Sequence, residues 1–182
     1  TAGVLLGGSI RRIFRASFRR LPLIFIAAAI DILMSSALGS SIAFLGDWAL
    51  ISASVLQALL LLLFVASNIS MPSLWLIGMG GIMNSTASAF NSGRMPISPQ
   101  ILDIAPDSPY TLALLAGKVH NYALATEQTR LLFLSDIITF RGFTLYMISA
   151  GDIVTSAGLI VLIISLMLPQ SRISASSDDC RP

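Results

Sequence analysis

Asp31 lies in the middle of an apolar run, LPLIFIAAAIDILMSSALGSS at residues 21–41. An ionised carboxylate at the centre of a bilayer costs roughly 2.5–3.5 kcal/mol on insertion scales. Two readings follow. Asp31 is an ion or proton site, or it is a neutral, hydrogen-bonded acid that joins two helices, since burial disfavours the charged form. No basic residue lies inside any other apolar run, so the sequence offers Asp31 no buried cation. Gln57 and Asn84 are the strongly polar side chains of the next two runs. Amides of this kind hydrogen-bond between helices for about 0.6–2 kcal/mol each. The same donors would suit a lipid headgroup or a quinone carbonyl.

A second group, Asn91, Arg94, His120, Asp136 and Asp152, falls outside the apolar runs or at their ends. In Asn91-Ser92-Gly93-Arg94-Met95-Pro96, Asn and Gly tolerate the left-handed conformation that ends helices, and Pro96 stops the chain from continuing as one. Arg94 then sits at headgroup level. It binds an anionic headgroup, a substrate or an acid such as Asp136, or it only neutralises the helix dipole. His120 is the one histidine and lacks a second His or Cys for zinc; Asp136 and Glu127 would share an outer-face site with it. Asp152 completes an S-x-x-D capping box opened by Ser149. Cys180 is a lone cysteine near the C-terminus, so no intramolecular disulfide forms. There is no P-loop, G-x-S-x-G, H-E-x-x-H or C-x-x-C-H motif. The expectation is therefore a non-enzymatic protein with no metal site and no cofactor motif, a lipid or quinone being the one ligand class the amides would admit.

These residues are carried by a chain of 182 residues, 55% hydrophobic and 11% charged, against about 25% charged in soluble domains. Mean hydropathy is +0.84, which excludes a soluble globule. The net charge is +2, and five of the eleven basic residues are Arg11, Arg12, Arg15, Arg19 and Arg20. Beside a hydrophobic run, such a cluster is a topology signal and not a nucleic-acid patch. Four segments are long enough to cross a bilayer at about 20 residues each: 21–41, 49–67, 73–91 and 150–168. Residues 1–8 read as the remnant of a further helix. The fold class is thus all-α and polytopic, one membrane domain of four full spans and a partial N-terminal helix.

Positive-inside logic places the arginine cluster and the C-terminal tail in the cytoplasm. The Asp47-Trp48 turn and residues 92–149 then lie outside. Short amphipathic helices are expected in that outer segment. Ser98-Pro99 opens one through Leu102, Ser108-Pro109 opens 110–119, and 126–134 forms a third with a Glu127–Arg130 pair. Residues 137–148 are interfacial, re-entrant or an extended hairpin. Gly81, Ser85 and Ala89 recur every four residues and make a smooth stripe for close helix packing.

From Asn91 onwards the chain resembles an uncharacterised family of small multi-spanning bacterial membrane proteins. The carriers are Asn91 to Pro99 (NSGRMPISP), His120, TRLLFLSDII at 129–138 and Ser149-Ala150-Gly151-Asp152. Departures are Ser92 in place of glycine, Thr139-Phe140-Arg141 where the family tends to have proline, and the truncated first helix. The resemblance implies a five-span fold and adds weight to Arg94, His120, Asp136 and Asp152 as an outer-face cluster. It implies no activity. The leading expectation is an accessory or scaffolding subunit of a larger membrane complex, an energy-converting one first, in the bacterial inner membrane. Its partners would be the lipid bilayer and other membrane subunits. The alternative is a small transporter or binding protein for an ion, lipid or quinone, built on Asp31.

Overall fold

The computed structural model describes residues 8–36, 46–141 and 145–168. The expected helix remnant before Gly8, the end of the first span, residues 142–144 and the tail with Cys180 lie outside them. The described helices are α1 (Ile10–Ile13), α2 (Pro22–Ser35), α3 (Asp47–Ser67), α4 (Pro72–Phe90), α5 (Ile101–Ile104), α6 (Pro109–Leu115) and α7 (Ala150–Met167). Four short strands accompany them: β1 (Met95–Ile97), β2 (Tyr122–Leu124), β3 (Ile138–Arg141) and β4 (Leu145–Ile148). The chain is mostly helical, and the all-α expectation is corrected by these strands.

Local chemistry sets the helix starts. Proline occupies the first turn of α2, α4 and α6, where its missing N–H costs nothing. Ser108 accepts from the Thr111 N–H, and Ser149 with Asp152 forms the full capping box of α7. Asp47 is the first residue of α3, after Gly46 at φ 95°, its carboxylate at the positive end of the helix dipole; the expected turn before it falls largely on residues 37–45, outside the described ones.

Helices α3 and α7 are long and apolar enough to cross a membrane, and only 22% of each is buried within the chain. Their large side chains, among them Leu56, Leu59, Leu63, Ile160 and Ile163, face outward. That is the reverse of a soluble core helix. Helix α2 is apolar but 14 residues long, and α4, at 19 residues, carries Asn84, Ser85, Thr86 and Ser88.

The packing runs α2 on α3, α3 on α4, and α4 on α7, the last pair being the most intimate. A side chain on Gly80 would strike Thr155 and the Gly151 carbonyl, and one on Gly158 would strike Leu76 and Ile77. The close approach therefore runs through Gly80. Of the stripe expected to pack helices, Gly81 seats Leu61 of α3 instead, and Ser85 lines a cavity.

The helix ends sort into two sets. At the arginine end, Ser9 N–H and Arg12 Nη1 donate to the Met167 carbonyl at 3.0 and 3.1 Å. There Asn68 Oδ1 accepts from Arg19 N–H at 2.8 Å while its Nδ2 donates to Arg19 O at 2.9 Å. An apolar core of Phe64, Val65, Leu74 and Leu162 fills this end, joined by Phe18, Leu23 and Leu166. At the other end, Arg94 pairs with Asp47 at 2.8 Å, and residues 92–149 fold over the helices.

That segment carries two of the three expected short helices, α5 and α6, and its other described elements are strands, turns and a 3₁₀ segment. Strand β1 pairs in parallel with β2, Met95 opposite Tyr122 and Ile97 opposite Leu124. The other edge of β1 bridges to Asp136: Asp136 N–H donates to Pro96 O, and Ser98 N–H donates to Asp136 O, both at 2.9 Å. Strands β3 and β4 form an antiparallel hairpin with Ile138 opposite Ile148, which decides among the three expectations for 137–148. Ile97, Ile101 and Leu114 make a second small core beneath this layer.

Three local expectations are corrected. Ser98-Pro99 forms a turn, and α5 starts at Ile101. Helix α6 stops at Leu115, because Gly117 turns left-handed at φ 66°. Residues 126–134 form a turn and a 3₁₀ segment at Leu132–Leu134, with Leu131 left-handed at φ 52°. The backbone of Arg130 is taken by Asn91, so no helical ladder passes through it. Glu127 and Arg130 do not pair; among the described residues the ion pair is Arg94–Asp47.

Candidate functional site

Towards the Asp47 end, the same four helices stop filling their common axis and enclose a cavity of about 530 Å³. One wall is apolar, with Ala27, Ala28 and Met34 of α2 and Leu50, Ala53 and Leu61 of α3. The opposite side carries Asn84, Ser85 and Ser88 of α4 and Asp152 and Thr155 of α7. Gly93, Met95, Asn121, Tyr122 and Asp136 roof it from the outer segment, and Asp31 and Gln57 complete the ring. Three carboxylates line this space, and among the described residues no Lys, Arg or His does.

The carboxylates differ in what already holds them. Asp152 is engaged on both oxygens: Oδ1 accepts from Asn84 Nδ2 at 2.7 Å and Oδ2 from Ser149 N–H at 2.9 Å. Asn84 is held at both ends in turn, because its Oδ1 accepts from Ser149 Oγ at 2.8 Å. The capping box of α7 is thus tied to α4. Asp31 is exposed to the cavity and makes no hydrogen bond or ion pair among the described residues. It does not act as a strut between helices there. Gln57 does: its Nε2 donates to the Ala27 carbonyl at 3.3 Å, joining α3 to α2.

Asp136 is held by its backbone on the edge of β1, and its side chain is 6% exposed. Oδ1 is buried with no hydrogen-bond partner among the described residues. Burial, and then the negative charge of Asp152, push its pKa up to about 7. Tyr122 reports the same convergence. Burial raises its phenol first, and the charges of Asp136, Asp31 and Asp152 all act on it in the same direction. Three acids from three separate elements therefore face one tyrosine. The neighbouring ring of Tyr110, edge-on at 6.1 Å, is raised to about 12 by burial and by Asp136.

The expected outer-face cluster divides. Asp136 and Asp152 face the cavity. Asn91 does not; its amide pairs with both backbone groups of Arg130 and also donates to Ala87 O at 2.7 Å. Arg94 meets Asp47 and not Asp136. With Ser92 and Gly93 left-handed, the loop lies so close on α3 that a side chain on Gly93 would strike Leu50 and Ile51. Asn91 itself has negative φ, so the left-handed turn falls one residue later than expected. His120 lines a second hollow of about 410 Å³ with Arg94, Leu114 and Leu124, apart from Asp136.

Sequence reasoning missed Tyr122, Asn121, Ser54 and Thr155. Tyr122 reaches the roof only through the parallel pairing of residues 95–97 with 122–124, a contact that no local pattern announces. Thr155 has a local signal: it lies one turn beyond Asp152 on the same face of α7.

Residues 15–164 match the model of DUF5317, a family of unknown function. The match takes in every residue that lines the cavity. No curated protein and no solved structure matches the chain.

Proposed function

Starting from a chain that belongs to DUF5317, a family of unknown function, we propose a polytopic α-helical membrane protein that binds a cation between its helices and passes it across the bilayer. The observation that carries this reading is the cavity with Asp31, Asp136 and Asp152 and no cationic lining residue among those described. Acidic walls in a low-dielectric surround focus a negative potential that only a cation relieves.

The spans are α2, α3, α4 and α7. A tryptophan at each end, Trp48 and Trp75, is exposed in the manner of an interfacial belt. The five arginines gather at the end opposite Asp47 and Arg94, so the positive-inside rule sets the arginine end in the cytoplasm. The cavity then lies towards the outer face, with the Phe64–Leu74–Leu162 core closing the cytoplasmic half.

The role is binding and translocation, without bond chemistry. A quinone or an anionic headgroup is less well served, because one N–H each of Gln57 and Asn84 is already engaged by this chain and the acids repel negative charge. A scaffolding subunit finds its small-residue face occupied, since Gly80 and Gly81 are both covered by helices of this chain.

The test is calorimetric titration of the purified full chain at pH 8 with sodium, magnesium and small organic ammonium salts. Saturable binding of at least one, lost in Asp31→Asn with the helical circular-dichroism spectrum unchanged, is the expected result. No binding from any of the three classes would overturn the reading.

A further inference from the structure

Resting on the cation reading above, we propose that the cavity takes an amphiphilic organic ammonium ion, its N–H donors on Asp136 and Asp31 and its apolar body along α2 and α3.

Four observations carry this. First, an acceptor is waiting. Asp136 lines the cavity, and its Oδ1 is buried with no donor among the described residues, a state that native proteins rarely leave unanswered. Asp152 is the less open acceptor, since Asn84 and Ser149 N–H already donate one hydrogen bond to each of its oxygens. Second, the acids are spread. Asp31 stands on α2, Asp136 beside β1 and Asp152 on α7, and among the described residues no three His, Cys, Asp or Glu side chains gather to hold a metal ion. Asp31 and Asp136 are thus acceptors on separate elements, which an ammonium with three diverging N–H donors suits.

Third, the space is large and two-sided. About 530 Å³ falls in the range of pockets for small organic ligands. The wall of Ala27, Ala28, Leu50 and Leu61 offers no lone pair to a bare ion, yet it covers a hydrocarbon well. Fourth, Tyr122 sits at the roof among the acids with its phenol held protonated. A neutral aromatic ring beside carboxylates attracts alkylammonium groups through its π face.

The experiment titrates phenethylammonium chloride into the purified full chain in detergent at pH 8, with phenethyl alcohol as the neutral control and sodium and magnesium chloride as rivals. The expected result is one saturable phenethylammonium site, absent for the alcohol. It should weaken at least tenfold in Asp136→Asn and in Asp31→Asn. Asp31 is exposed to the cavity, so its variant reads the site even where Asp136→Asn perturbs the roof. Binding of sodium or magnesium through these aspartates, with none of phenethylammonium, overturns the organic class and leaves the cation site standing. Phenethylammonium binding unchanged in both variants overturns the placement. No binding by any cation overturns this inference and the cation reading together.

Discussion

The two ends of the helix bundle use the same four helices to opposite effect. At the arginine end Phe64, Val65, Leu74 and Leu162 meet on the bundle axis and exclude everything else. Two to four turns away, the axis is vacant and ringed by carboxylates, amides and hydroxyls. Each end also uses a helix-terminal asparagine to grip a distant backbone, Asn68 on Arg19 and Asn91 on Arg130. The grip at the closed end is buried and the grip at the open end is exposed. The lesson is that one end supplies the stability that lets the other stay underpacked and polar.

Substitutions at the two ends should therefore separate stability from binding. Leu74, 2% exposed in the closed core, should cost about 2–5 kcal/mol as Leu74→Ala. Its thermal midpoint in detergent should fall while its cation selectivity is retained; a change of selectivity at unchanged stability would erase the division between the ends. Asn68→Ala removes three hydrogen bonds to Arg19 and Phe64 and should cost about 1–3 kcal/mol. Asn91→Ala, at an exposed grip, should cost less, and equal losses in parallel melts would count against a burial difference.

A third prediction uses pH. The folded state holds a proton on Asp136 up to about pH 7, whereas the ordinary value is 3.8. The native protein thus binds more protons than the unfolded chain in this window, so stability is greatest below it and declines as pH rises from about 4 to 7. The groups whose charges interact with that of Asp136 are Asp152, Tyr122 and Tyr110, and both phenols are raised by burial out of this window. Cation affinity should run the other way, weakening by up to about tenfold per pH unit below 7 as ligand competes with proton. Asp136→Asn should flatten both curves, and melts and titrations at pH 5, 6, 7 and 8 check it. Smallest of all, Arg94→Ala removes a part-exposed ion pair worth about 0–1 kcal/mol, and chemical or thermal melts should barely register it.

How much of this was legible in the sequence depends on the range of the forces involved. Helices α3, α4 and α7 were read to within two residues at either end, because proline at position 72 and the Ser149–Asp152 box act locally and the apolar runs are long. Asp31, Gln57 and Asn84 stood out as polar groups in apolar runs, and all three line the cavity. Residues 126–134 misled, since their helical spacing is overridden by an asparagine some 40 positions away. Strands of three or four residues show too few alternations to declare themselves. The meeting of Asp136 and Tyr122 with the acids of α2 and α7 depends on β1, which pairs with β2 on one edge and residue 136 on the other.

The glycine contacts between α4 and α7, with Asn84 bolted to the first turn of α7, make those two helices one stiff beam. Helices α2 and α3 are linked by Gln57 as a second, lighter one. The chain joining the two pairs is the short Asn68–Met71 turn, and Asn68, gripping Arg19, ties that turn to the residues that lead into α2.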